Sequence, residues 1–516
     1  MQRTYLTAPG DLVTLDVDRT RLAVRFHEPA PQTMRLELID HAPRMSTDWR
    51  YEIPGEKYTI FPVAPSGPGR PKAAAAAARD LRKTGSVARV APVFRAGDGR
   101  ITALDRVVVQ FRRSARGPVK HLEALGYEVV DQHATEYLVR LRPADDPLAV
   151  ASELAMHPDV VYAEPDFVEF RPVLEPGPAE PAASLVAGRD PQAGSQWARP
   201  HTRLDAALKL LRGGAGSPEV RIAILDSGVD YQHPDLQSAI AANCDATLQP
   251  PAENPQSGDY HGTACAGLAA AIPFNDQGIR GFGGGCSVLN VRIFHSAGNP
   301  RQWVMSSYAM ARGIDWAVRN GADVLSLSWE TTHPRKCVAR AIEQALAEGR
   351  GGKGCVVVAG TGNDTPESPR GVKFPAVLPG VVAVGASDKS GLRVTHERNG
   401  TSWSSATGPQ TALAAPGLSH VTTDIREKKG RNTLPSPGGD YLDDFDGTSS
   451  ATAIVAGAAG LVLSANPSLT ASQVCDLLCT TTGSEPPGPR AHSEETGFGV
   501  INIASAVEEA LKLSPA

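Results

Sequence analysis

Four short stretches of this chain carry residue types that could together perform nucleophilic chemistry. In the first, Asp446-Gly447-Thr448-Ser449-Ser450 leads into the small apolar run 451–460 and then Leu461-Val462-Leu463. This pattern predicts a buried helix with a serine in its first turn. A helix start carries unpaired N–H groups and partial positive charge, so backbone donors can stabilise an oxyanion developing there. Capping of the helix by Thr448 or Ser449 is the purely structural alternative. Upstream, the aliphatic run 220–225 predicts a buried strand ending in Asp226-Ser227-Gly228. His261 then opens a second run of small residues, Gly262-Thr263-Ala264-Cys265-Ala266-Gly267. An aspartate at a strand end can orient a histidine, and the histidine can take a serine's proton. In the fourth stretch, strand 355–360 is followed by Thr361-Gly362-Asn363-Asp364.

The elements that must position these residues alternate along the second half. Strands are expected at 288–294, 323–327, 356–359 and 381–385, with helices at 306–320, 335–348 and 470–481. Alternation of this kind argues for an α/β fold, a mostly parallel sheet covered by helices on both faces. Reactive residues then gather near the carboxyl ends of strands, which suits Asp226 and Asn363.

Asp-Ser-Gly, His-Gly-Thr-x-x-Ala-Gly and Gly-Thr-Ser-x-Ala stand here in the order Asp, His, Ser, and together they resemble the subtilisin-like serine proteases, the subtilases. The resemblance implies a serine endopeptidase with Asp226, His261 and Ser449 as its catalytic residues. It also implies that Asn363 and the Ser449 N–H hold the oxyanion. Ser328-Trp329-Glu330 matches the segment that pairs with a peptide substrate, with Glu330 where the family has Gly. Lys373 stands before Phe374-Pro375, where the family commonly has Gly at the base of the pocket for the residue preceding the scissile bond. A cation there favours an acidic side chain. A Lys373–Glu330 pair would cancel that preference, and Glu330 alone would reverse it. Ser450 replaces a methionine that many subtilases carry, and Thr452-Ala453-Ile454 departs from the usual Ser-Pro continuation. Neither change removes a catalytic group. Asn275-Asp276-Gln277-Gly278-Ile279 partly echoes a calcium loop, but a surface turn accounts for it equally well, and no metal or other cofactor is expected.

The first half holds a repeat. Residues 78–94 align with 151–167, Ala78 on Ala151, Leu81 on Leu154, Pro92 on Pro165 and Phe94 on Phe167. Tyr58-Thr59-Ile60-Phe61 matches Tyr137-Leu138-Val139-Arg140, and residues 21–26 match 106–111. In the fuller second copy, strand 107–111, helix 118–125, strands 128–131 and 137–141, helix 148–156 and strand 160–162 give a βαββαβ order, that of a small ferredoxin-like α+β sandwich. The first copy lacks room for its first helix at 32–44. These units resemble the propeptide-inhibitor domain that precedes subtilase catalytic domains. The expected division is 1–98, a degenerate propeptide-like unit; 99–170, a second one; 171–195, a linker rich in Pro, Glu and Ala and the self-cleavage region; and 196–516, the catalytic domain.

Composition narrows the partners. Net charge is −5, with 41% hydrophobic and 21% charged residues and no basic block, so nucleic acid is not an expected partner, and the family resemblance implies a peptide or protein substrate. The start of the chain lacks a long apolar core, and no run of about 18 apolar residues is seen, so neither a secretory signal nor a membrane span is expected. The seven cysteines all lie from Cys244 onward, which suits reduced thiols in a cytoplasmic protein. Two roles fit the motifs. One is an endopeptidase made as a self-inhibited precursor, its own N-terminal units acting as intramolecular inhibitor, with a dedicated processing protease as a narrower form. The other is a catalytically silent regulator on the same fold.

Overall fold

The computed structural model describes residues 2–27, 39, 45, 51–53, 58–63, 73–97, 99–133, 135–172, 190–247, 255–297, 302–331, 333–366, 370–483 and 491–513. The expected short segment 32–44, apart from Ile39, and most of the linker 171–195 lie outside the described residues.

In the second half, seven strands form one parallel sheet. Their order is Ile240–Asp245, Ser287–Arg292, Arg221–Asp226, Val324–Leu327, Val356–Gly360, Val382–Ser387 and Thr411–Pro416. Ile222, Ile224 and Val358 face a core shared with helices His261–Ala270 and Thr448–Ala465, whereas Ala223, Leu225 and Val357 face one shared with helices Ser307–Arg319 and Lys336–Gly352. Strands buried on both faces read as continuous aliphatic runs, as the alternation predicts. Two strands escaped that reading. Ile240–Asp245 and Thr411–Pro416 are poor in β-branched residues and are strands because their neighbours pair with them. The strand order changes direction at Arg221–Asp226, which places Asp226 at the crevice where such sheets hold their sites.

Helix Thr448–Ala465 runs through the core, with Thr448 and every residue from Ser450 to Leu463 buried. By length and composition it could cross a membrane, but it is 83% buried inside the fold. Its threonines, serines and glycines hid this from a count of apolar residues. Ser450, Thr452 and Ser464 return their hydroxyls to the carbonyls of the preceding turn, so these polar groups are buried at little cost.

The first half belongs to an antiparallel sheet. Its second unit has the order Gly99–Phe111, Pro118–Ala124, Glu128–His133, Glu136–Arg140, Pro147–Ala155, Val160–Pro172 along the chain, strand and helix as expected. Across the sheet its strands run last, first, third, second. The first unit repeats that order with Val87–Ala96, Asp11–Phe26, Tyr58–Pro62 and Tyr51–Ile53. Register supports the repeat: Leu22 pairs with Pro92 and Val24 with Val90, as Val107 pairs with Pro165 and Val109 with Ala163. One alignment needs correcting. Arg25 pairs with Tyr58, and its counterpart Gln110 pairs with Glu136, so Tyr58 corresponds to Glu136 rather than Tyr137. Four consecutive buried side chains in each strand blur a one-residue slip in sequence.

The two halves share a sheet and a core. Val160–Pro172 pairs antiparallel with Gln302–Ser306, Arg171 opposite Trp303 and Glu169 opposite Met305. Val108, Leu138 and Tyr162 lie in one apolar cluster with Tyr308, Ile314, Cys337 and Ala341. Two helix starts of the second half are satisfied by acids of the first. The Glu164 carboxylate accepts from Lys336 N (3.0 Å) and Cys337 N (2.8 Å). Asp166 accepts from Ser306 Oγ (2.9 Å) and Tyr308 N (3.3 Å). Acids are favoured at helix starts by the unpaired N–H groups there. Glu169 and Arg335 form an ion pair at 3.0 Å with both side chains fully buried.

Candidate active site

The strand Arg221–Asp226 delivers its last residue to the start of helix His261–Ala270. His261 Nδ1 lies 2.9 Å and 3.0 Å from the two Asp226 oxygens, so Nδ1 carries the proton and Nε2 is left to face the cleft. Ser227 explains the Asp-Ser-Gly motif. Its hydroxyl accepts from Gly262 N (3.0 Å) and donates to Asp259 O (2.8 Å), pinning the histidine's helix to the aspartate's strand. Gly262 is needed because a Cβ there would lie 2.3 Å from Gly228 O. Phe445 and Trp303 pack edge-on against the imidazole at 5.5 Å and 5.9 Å between centroids. Cys265 Sγ, one helical turn on, is 3.8 Å from Nδ1. Burial by itself would lower the His261 pKa, but the adjacent Asp226 carboxylate, with the Cys265 sulfur, outweighs it and holds the imidazole well above its ordinary range.

Ser449 is the second residue of its helix, behind Gly447 at φ 115°. Its hydroxyl donates to Ser328 O (3.1 Å), and Ser328 Oγ donates to Ser449 O (3.1 Å). Among the described residues this is the hydroxyl's hydrogen bond as donor. Catalytic hydrogen bonds are often loose in an empty site. Asn363 follows strand Val356–Gly360, and its Oδ1 accepts from Thr448 N (3.0 Å) and Thr448 Oγ1 (3.1 Å). The amide is thereby oriented with Nδ2 towards the serine. A Cβ placed on Gly447 would be 3.4 Å from Asn363 Nδ2, 3.5 Å from Ser449 N and 3.8 Å from Ser449 Oγ. That point is open because residue 447 is glycine, and the Asn363 amide nitrogen and the Ser449 backbone nitrogen both border it beside the Ser449 hydroxyl. The geometry suits a tetrahedral oxyanion.

The expected substrate-contacting residues lie in one region with different surroundings. Trp329 is buried in the core with Phe374. Glu330 Oε2 accepts from Asn363 N (3.1 Å), and Glu330 also pairs with Arg171. Lys373 is buried and pairs with Asp364 at 2.6 Å. The acidic preference expected from Lys373 loses its basis, because its charge is already matched by Asp364. The calcium-like loop folds around buried Asp235, whose oxygens accept from Asn275 Nδ2 (2.9 Å) and Ile279 N (2.9 Å). Burial pushes Asp235 up to about 6. N–H donors meet this carboxylate, and we assign no metal to it.

Residues 217–499 match the profile of Peptidase_S8, the Subtilase family. The chain belongs to the subtilase family. Its second half is that of a subtilisin-like serine endopeptidase. It is 33% identical to a subtilisin of Bacillus pumilus over 303 residues, 58% of this chain and 94% of that one. It is 30% identical to a calcium-dependent protease of Trichormus variabilis over 351 residues, 62% of this chain and half the length of that relative. Fervidolysin from Fervidobacterium pennivorans, a keratinolytic enzyme related to subtilisin, shares the fold with a TM-score of 0.59 at 22% identity, over 80% of this chain and 61% of that one.

Sequence reasoning named the subtilase residues Asp226, His261, Asn363 and Ser449 but passed over those that hold them. Ser227 and Thr448 lay inside quoted motifs, and their hydroxyls were the available signal. Trp303 and Phe445 carried none, since each reaches His261 from a distant strand.

Proposed function

We propose that this chain is a serine endopeptidase made as a self-inhibited, self-processing precursor. Ser449 Oγ attacks a peptide carbonyl, and His261 Nε2 takes its proton. Asp226 fixes the tautomer and stabilises the imidazolium. The carbonyl oxygen, now negative, is held by Asn363 Nδ2 and Ser449 N. His261 then protonates the leaving amine, and water repeats the sequence on the acyl-enzyme. The observation that carries this reading is the convergence of Asn363 Nδ2, Ser449 N and Ser449 Oγ on the space beside Gly447.

The first half serves as the intramolecular inhibitor, as two ferredoxin-like, propeptide-like units spanning 1–98 and 99–170. What supports this is the strand Val160–Pro172, which lies along Gln302–Ser306 next to Trp303, and so next to His261. An antiparallel strand at a cleft edge is how a peptide is held by augmentation. Glu164 and Asp166 at two helix starts, and the buried Glu169–Arg335 pair, support a specific dock. Self-cleavage falls within 171–195. The cysteines are free and five are buried, which supports a reducing compartment such as the cytoplasm, and processing of one dedicated partner is the narrower form of this reading. The test is the N-terminus of the purified chain by mass spectrometry. Wild type should gain a new terminus within 171–195 and Ser449→Ala should stay intact. A wild type that stays whole and fully active contradicts the precursor reading.

A further inference from the structure

We infer that the cleft is built to take a basic side chain, arginine before lysine, with Glu330 as the carboxylate that recognises it; this rests on the peptidase reading above. Glu330, Asp364 and Lys373 stand beside the oxyanion asparagine. A Cβ on Gly362, the residue before Asn363, would lie 2.5 Å from Lys373 Cγ and 3.0 Å from Glu330 Oε2, so both side chains border the same space. Lys373 Nζ is spent on Asp364, with side-chain exposures of 3% and 12%. That leaves Glu330. Its Oε2 takes the Asn363 N–H, and its Oε1 lies 3.1 Å from Arg171 Nη1. The wall itself thus holds two carboxylates and one ammonium, an unmatched negative charge.

The first half supplies the matching cation. Arg171 comes from the strand that enters the cleft, and its Nη1 reaches the Glu330 side chain and donates to the Glu330 carbonyl at 3.0 Å. Glu169, 3.9 Å from Arg171 Nε, is itself held by Arg335. A desolvated carboxylate needs a partner. When the first half leaves it takes Arg171 and Glu169 together, so Glu330 and Arg335 both lose their partners, and a cation carried by a substrate competes with Arg335 for Glu330. A guanidinium fork can meet a side-chain oxygen and a backbone oxygen together, which a lysine ammonium does less well. In this account Arg171 is an internal occupant of the recognition site, and Glu330 in place of the family's glycine is the specificity-determining change.

The test uses full-length wild type and Glu330→Gln with tetrapeptide anilides varied at each position upstream of the scissile bond, carrying Arg, Lys, citrulline, Leu or Glu. Citrulline keeps arginine's shape without its charge. Gln keeps an oxygen for the Asn363 N–H, so a purely structural role of Glu330 would leave selectivity unchanged. At one position, kcat/KM for Arg should exceed citrulline by about 10- to 100-fold, and the ratio should fall to within about twofold in Glu330→Gln. Turnover with no such preference, or the same ratio in the variant, overturns the inference. If the docked first half keeps turnover low, full-length Arg171→Ala vacates Glu330, and in that variant the same peptides compete with a fluorophosphonate for Ser449. Protection by Arg over citrulline supports the inference, and equal protection overturns it. A Ser449 that the probe never labels would strike the peptidase reading itself, and this inference with it.

Discussion

Asn363 offers a test in which catalysis and folding can be separated. Its Nδ2 faces the space beside Gly447, and its Oδ1 accepts both the backbone N–H and the hydroxyl of Thr448. Asn363→Leu removes both functions. A single oxyanion donor is worth about 3 kcal/mol, so kcat should fall by roughly 10²- to 10³-fold. KM should stay within about twofold, because the contact strengthens as the oxyanion forms. Thr448 is only 2% exposed, and its N–H would lose its acceptor. That costs about 1–3 kcal/mol, or several degrees in Tm. Asn363→Asp keeps an acceptor for Thr448 and loses the donor, so it should retain more of the Tm than Asn363→Leu while losing at least as much kcat. Steady-state kinetics on a processed enzyme and thermal melts of each variant make the comparison. A kcat within about tenfold of wild type in both variants would refute the assigned oxyanion site.

The His261 environment makes a second prediction. The protonated imidazole cannot accept the Ser449 proton, and Asp226 holds the His261 pKa well above 6.5, so activity should rise with pH through a midpoint above 6.5. A kcat/KM profile with its acid limb at or below 6.5 would show that burial outweighs the carboxylate. The buried Glu169–Arg335 pair makes a third. Removing one partner of such a pair costs about 3–5 kcal/mol because the other charge stays buried, so Glu169→Ala should loosen the first half and raise its susceptibility to proteolysis. Limited proteolysis indistinguishable from wild type would count against the dock.

Much of the second half was legible because its signals are local. Asp226, His261 and Ser449 each sit where a strand end or helix start is punctuated by glycine, and their order along the chain is informative. Strand Val356–Gly360 announces itself with consecutive valines. Strand Ile240–Asp245 does not, because pairing with Ser287–Arg292 rather than its own composition makes it a strand. The repeat in the first half was visible through Pro92 and Pro165, yet the Tyr58 register slipped by one residue where neighbouring positions are equally buried. The partner of Lys373 was hidden for a different reason. A lysine's partner is a matter of three-dimensional neighbours, and Asp364, nine residues back, carried no mark of its role.

The central claim is that Ser449 is a nucleophile activated by His261. Labelling the full-length chain with a fluorophosphonate and mapping the adduct by peptide mass spectrometry tests it most directly. The account predicts an adduct on Ser449, strongly reduced in His261→Ala and absent in Ser449→Ala. A folded wild-type chain with no adduct, or with its adduct on another residue, would contradict it.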